Sequence, residues 1–89
     1  MSIEARPVEL ALPGDNKGVL IFCDGALIAV ASRLGPRHED YAGWWHVEVA
    51  FERFEKSASQ HFQNLKELCA HFEAGARASA SATAPRQRA

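Results

Sequence analysis

Cysteine is scarce in this sequence. Two thiols, Cys23 and Cys69, are too few to frame a disulfide-stapled scaffold. Each falls in an apolar pattern and reads as a small buried hydrophobe. Long apolar runs are also missing. No stretch approaches the roughly 18 residues that a membrane-spanning helix needs. The first seven residues, MSIEARP, have no basic region leading into an apolar one, so no signal peptide is expected. These absences together lead us to expect a cytoplasmic protein with no membrane partner.

Motifs of common chemistries are absent as well. The sequence has no glycine-rich phosphate loop, no Gly-x-Ser-x-Gly elbow, and no Cys-x-x-Cys or His-Glu-x-x-His spacing. No set of residues meets the requirements of a catalytic site, so neither enzymatic activity nor a cofactor is expected. An excess of positive charge is lacking from the body of the chain. Residues 1–76 hold 7 Lys/Arg against 11 Asp/Glu, a net of −4, and residues 77–89 hold three arginines and no acid. Nucleic-acid affinity is largely electrostatic, and an acidic body argues against it. The three scattered arginines read as a solvated end.

What is present is a β-rich pattern. The chain has 89 residues, 47% hydrophobic and 24% charged, a composition that suits one globular domain. Val19 to Ser32 reads VLIFCDGALIAVAS. Asp24-Gly25 between two apolar runs signals a two-residue hairpin, because a type I′ turn needs positive φ at both central positions. Strands are expected near 19–23 and 26–33. Val8 to Leu12 alternates between Pro7 and Pro13 and reads as an edge strand. Residues 34–43 read as a loop. Trp44 to Phe54 alternates again, with Trp45, Val47, Val49 and Phe51 on one side and Trp44, His46, Glu48 and Ala50 on the other.

A helix is expected next. Ser57-Ala58-Ser59-Gln60 has the form of a capping box, with Ser57 or Ser59 as cap. Phe62, Leu65, Leu68, Cys69 and Phe72 make one apolar stripe, and Gly75 suits a C-cap. Residues 77–89, rich in Ala, Ser and Arg, lack large apolar side chains and are expected to be disordered. The domain is thus expected to span 1–76 as an α+β fold: an antiparallel four-stranded meander, β-β-β-β-α, with one amphipathic C-terminal helix on one face.

Counting from the turn pairs Cys23 with Ala26, Ile21 with Ile28 and Val19 with Val30 on one face. Phe22 pairs with Leu27 and Leu20 with Ala29 on the other. Both faces are apolar, and one helix covers only one. The uncovered face points to association, with a second copy of the chain or with another protein. Leu20, Phe22 and Leu27 are candidates for that surface. Trp44 and Tyr41 are candidates for its aromatic anchors. The expected function is therefore a small interaction module, homodimeric, acting as an adaptor, inhibitor or regulatory subunit. A second expectation is a small-ligand or metal-binding domain built on the 37–48 region. There, His46 and Glu48 share a strand face, and His38 stands in the preceding loop.

Overall fold

The computed structural model describes residues 2–83, with side chains through residue 78. Five strands form one antiparallel sheet in chain order: β1 (Ile3–Glu9), β2 (Lys17–Cys23), β3 (Ala26–Arg33), β4 (Trp45–Ala50) and β5 (His61–Phe62). Two 3₁₀ segments, Pro36–Tyr41 and Glu52–Ser57, flank β4, and one helix, α1 (Leu65–Thr83), follows β5. This is the α+β meander that the pattern implies, with one strand more than expected. No helix among the described residues is long and apolar enough to cross a membrane.

The hairpin turn forms where the sequence places it. Asp24 and Gly25 have φ of 51° and 87°, both in the left-handed region that the type I′ turn requires. Cys23 faces Ala26 and Phe22 faces Leu27, as expected. The register then shifts. Ile21 faces Ala29 rather than Ile28, and Val19 faces Ala31 rather than Val30. Ile28 is the extra residue of a β-bulge, which sets two residues of β3 against one of β2. Ile28 and Ala29 are both buried, and Val30 turns to the opposite face.

A second bulge lies between β3 and β4. Val30 faces Val49 and Ala31 faces Val47, leaving Glu48 without a partner. The expected row of Trp45, Val47, Val49 and Phe51 is therefore broken. Val47 is buried, whereas Val49 and Phe51 are exposed. The strand also ends at Ala50, short of Phe54. Glu52, with φ of 51°, turns the chain, and the following 3₁₀ segment folds Phe54 into the core.

The first strand starts five residues earlier than the alternation suggests and ends three earlier. β1 pairs with β2 from Ile3↔Cys23 to Glu9↔Lys17, so its length is set by its partner. Leu10 to Leu12 belong to the turn instead: the Leu10 N–H donates to Asn16 O, and Leu12 O accepts from the Asp15 N–H. Pro7 is tolerated within β1 because an edge strand needs no ladder bond on its outer side.

The helix also starts later than expected. Ser57 and Ser59 do not cap it. Ser57 ends a 3₁₀ segment, and Ser59 donates its N–H to Val47 O beside β4. Asn64 is the cap: its Oδ1 accepts the Glu67 N–H at 2.9 Å, with an acidic residue in the first turn as a capped N-terminus prefers. Asn64→Ala is expected to cost about 1 kcal/mol, which lowers the melting temperature by roughly 4–8 °C in a domain of this size. Thermal denaturation followed by circular dichroism measures this.

The helix runs through Gly75, so that residue is not a C-cap. Its bound at Thr83 takes in the first part of the segment expected to be disordered. Residues 84–89 of that segment lie outside the described residues. Leu68, Phe72 and Ala76, at four-residue spacing, are fully buried against the sheet. They meet Val19, Ile21, Cys23, Ile28, Ala29, Ala31, Val47, Ala50 and Phe54 in one core. The alanines leave room for Phe54 and Phe72, whose ring centroids lie 5.8 Å apart. Leu65 is exposed, and Phe62 packs on the core from β5 rather than from the helix.

Candidate functional site: the open face of the sheet

The helix and Phe54 cover the face that carries Val19, Ile21 and Val47. The opposite face carries Leu20, Phe22, Leu27, Val30 and Val49. Its side chains stand in cross-strand rows set by the register. Glu4, Phe22 and Leu27 make one row, and Arg6, Leu20, Val30 and Val49 the next. Leu27 and Val49 are 38% and 39% exposed, and Leu20, Phe22 and Val30 are half-buried. The bulges brought Val30 and Val49 here. The candidates Leu20, Phe22 and Leu27 are together on this face, as the alternation implied.

Polar groups border the apolar rows. On β1 the Arg6 guanidinium lies over the Phe22 ring at 4.5 Å and pairs with Glu4 at 2.7 Å. Both side chains are exposed, so this ion pair adds little stability. Its effect is to spread the arginine stem across apolar surface. On β3, the buried Ser32 hydroxyl donates to Glu48 Oε2 at 2.6 Å. The carboxylate thus satisfies a hydroxyl that would otherwise be costly to bury. Leu10 closes the end of the face over Gly18, where an added Cβ would run into the leucine side chain.

An aromatic and imidazole array forms the border at β4 and β5. His46 faces His61 across the two strands, with Nδ1 and Nε2 3.2 Å apart. Tyr41 stacks on His61 at 5.1 Å, and Trp44 meets Tyr41 edge-on at 5.0 Å. The two aromatic candidates are therefore in mutual contact at the rim. His61 belongs to β5 rather than to the helix. Its true place on a two-residue strand is too short to show a period.

The three metal candidates do not converge. Glu48 is held by Ser32, and His38 Nε2 lies 2.8 Å from Asp15 Oδ2. Only His46 keeps a ligand-type neighbour, and that is His61. Among the described residues no three His, Cys, Asp or Glu side chains gather around one point. The 37–48 region is held by Asp15 instead. This carboxylate is 7% exposed and also accepts the Gly35 N–H at 2.8 Å and Arg37 Nη2 at 3.2 Å. It ties the β1–β2 loop to the β3–β4 loop.

The hydrogen bond from His38, followed by that from the Gly35 N–H, brings the Asp15 carboxyl down to about 2, although burial opposes the shift. Its ordinary value is about 3.9. A carboxyl with a depressed folded value stabilises fully above its unfolded value. That contribution is lost as pH falls through the folded one. Asp15→Asn is accordingly expected to lower stability at neutral pH and to flatten the decline between about pH 4 and pH 2. Urea denaturation of both proteins across that range measures the difference.

Two further groupings bear on catalysis. Ser57 Oγ lies 2.7 Å from His71 Nε2, a nucleophile-and-base spacing that the sequence did not reveal. Ser57 is buried, and His71 sits between Phe62 and Phe72. Burial lowers the His71 value, which suits a neutral imidazole accepting the serine proton, and among the described residues no carboxylate bonds the ring. The pair ties α1 to the second 3₁₀ segment. Two open clefts of about 440 and 470 Å³ share Asn16, Lys17 and Arg33. Neither contains a histidine, a cysteine or the Ser57–His71 pair.

Compared with protein-family models, curated proteins and solved structures, the chain matches none.

Proposed function

We propose that this protein acts by contact rather than by catalysis, as a small interaction module whose open sheet face is covered by a second copy of the chain. The gathering of Leu20, Phe22, Leu27, Val30 and Val49 on one face, with Leu27 and Val49 exposed and the others half-buried, carries this reading. Fully burying such a side chain stabilises by roughly 1.5–3 kcal/mol, and a contiguous apolar patch of this kind is the usual mark of an interaction surface.

Charge favours a second copy as the occupant. A two-fold axis along the strands, between β2 and β3, sets β2 of one protomer over β3 of its partner and β1 over β4. Arg6 shares a cross-strand row with Val49, and Glu48 adjoins that row. The axis therefore brings Arg6 of each protomer to the level of Val49 in the other, next to Glu48. Aligned sheets pack about 10 Å apart with interdigitating side chains, which suits the Phe22 and Leu27 rows. Tyr41 and Trp44 lie at the rim. The pair then serves as an adaptor, inhibitor or regulatory subunit in the cytoplasm, where Cys23 and Cys69 stay reduced.

Light scattering at micromolar concentration tests the association. The expected mass is twice the 9.8 kDa of one chain. A mass of one chain at every concentration would remove the second copy as the occupant.

A further inference from the structure

We propose that His46 and His61 form a two-histidine chelate for a divalent transition-metal ion of the zinc and copper class. The register sets the two residues directly opposite each other on β4 and β5. Their facing atoms, His46 Nδ1 and His61 Nε2, stand 3.2 Å apart, with the rings tilted by 41°. A tetrahedral ion with bonds of about 2.0–2.1 Å separates two imidazole nitrogens by roughly 3.3 Å. The register places the two rings together, and their facing nitrogens already stand close to that bite.

In the ion-free pair, one facing nitrogen donates a hydrogen bond to the other. Coordination needs both of them bare. The donor ring then carries its proton on its other nitrogen, with no net proton lost. Tyr41 stacks on His61 and Trp44 braces Tyr41, which fixes the ring that would hold the ion. Glu48 and His38 are engaged by Ser32 and Asp15. With no third ligand among the described residues, water fills the remaining positions. The ion is exchangeable, and copper binds more tightly than zinc.

Zinc chloride titrated into the full chain at pH 7.5, followed by calorimetry, tests the site. One ion per chain is expected. His46→Ala and His61→Ala should each weaken binding by at least about tenfold, the lower bound for losing even an outer partner of a metal ligand. Cys69→Ser should leave binding unchanged. Imidazole nitrogen shifts in the wild-type protein give a readout that needs no variant: zinc should move His46 Nδ1 and His61 Nε2 but not His71. Absence of zinc binding, a smaller loss in either histidine variant, or a shift centred on other residues overturns the proposal.

Discussion

Leu27→Asp is expected to split the two-chain species into folded monomers. Leu27 lies on the open face in the row beside the hairpin turn and is 38% exposed in the single chain, so a carboxylate there stays hydrated in the monomer. Across the proposed interface the same carboxylate would be buried without a partner, at a cost of several kcal/mol. The two-fold symmetry doubles the effect. We expect the dissociation constant to rise by at least about a hundredfold, since each tenfold corresponds to about 1.4 kcal/mol. The far-ultraviolet circular dichroism of the monomer should match that of the wild type. Sedimentation velocity over a concentration series reads the change, and Leu27→Ile is the conservative control. An unchanged dissociation constant in Leu27→Asp would place the interface elsewhere.

Phe72→Ala is expected to remove a large share of the stability of the fold. Phe72 is 1% exposed and packs against Phe54 and His71. Truncating a core phenylalanine costs about 3–5 kcal/mol, because the lost transfer energy adds to that of the cavity left behind. A small domain has only about 5–15 kcal/mol in total. Urea denaturation should show a much lower midpoint, or no cooperative transition at all. Leu65→Ala, at an exposed position on the same helix, should cost less than about 1 kcal/mol. Equal effects of the two substitutions would contradict the described packing of α1.

Local conformational demands made parts of this fold legible in the sequence. The Asp24-Gly25 turn is one, because few residue pairs accept positive φ twice. It also fixed the start of β3 and the first two cross-strand pairs. Alternation beyond that point assumes an unbroken register. The bulges at Ile28 and Glu48 each insert one residue, and one residue is enough to reverse a face. Each bulge depends on what lies across the strand, which a linear pattern does not record. Val30 and Val49 reached the open face in that way. The same limit explains β1, whose position follows from Lys17–Cys23 rather than from its own prolines. Asn64 is masked as a cap because Ser57 and Ser59 offer a capping-box signal ahead of the apolar stripe. Tertiary contacts with His71 and Val47 claimed both serines.

The candidate surface was legible to a similar degree. Leu20, Phe22 and Leu27 lie near the turn, where counting is safe, and they share a face. Trp44 and Tyr41 meet because the first 3₁₀ segment returns to the start of β4. His61 was not foreseen, since its strand has two residues and no period. Neither was Asp15, whose Pro-Gly-Asp-Asn context reads as an ordinary turn. Its function as a tie between loops depends on Gly35, Arg37 and His38, some twenty residues away.

The central claim is that the open sheet face is covered by a second copy of the chain. Isotope-filtered nuclear Overhauser spectroscopy on a mixture of labelled and unlabelled chains tests it most directly. Contacts between chains should involve Leu20, Phe22, Leu27, Val30 and Val49, with β2 of one protomer near β3 of the other. Contacts that arise instead from α1 or the free edge of β1, or none between chains at all, would contradict the account.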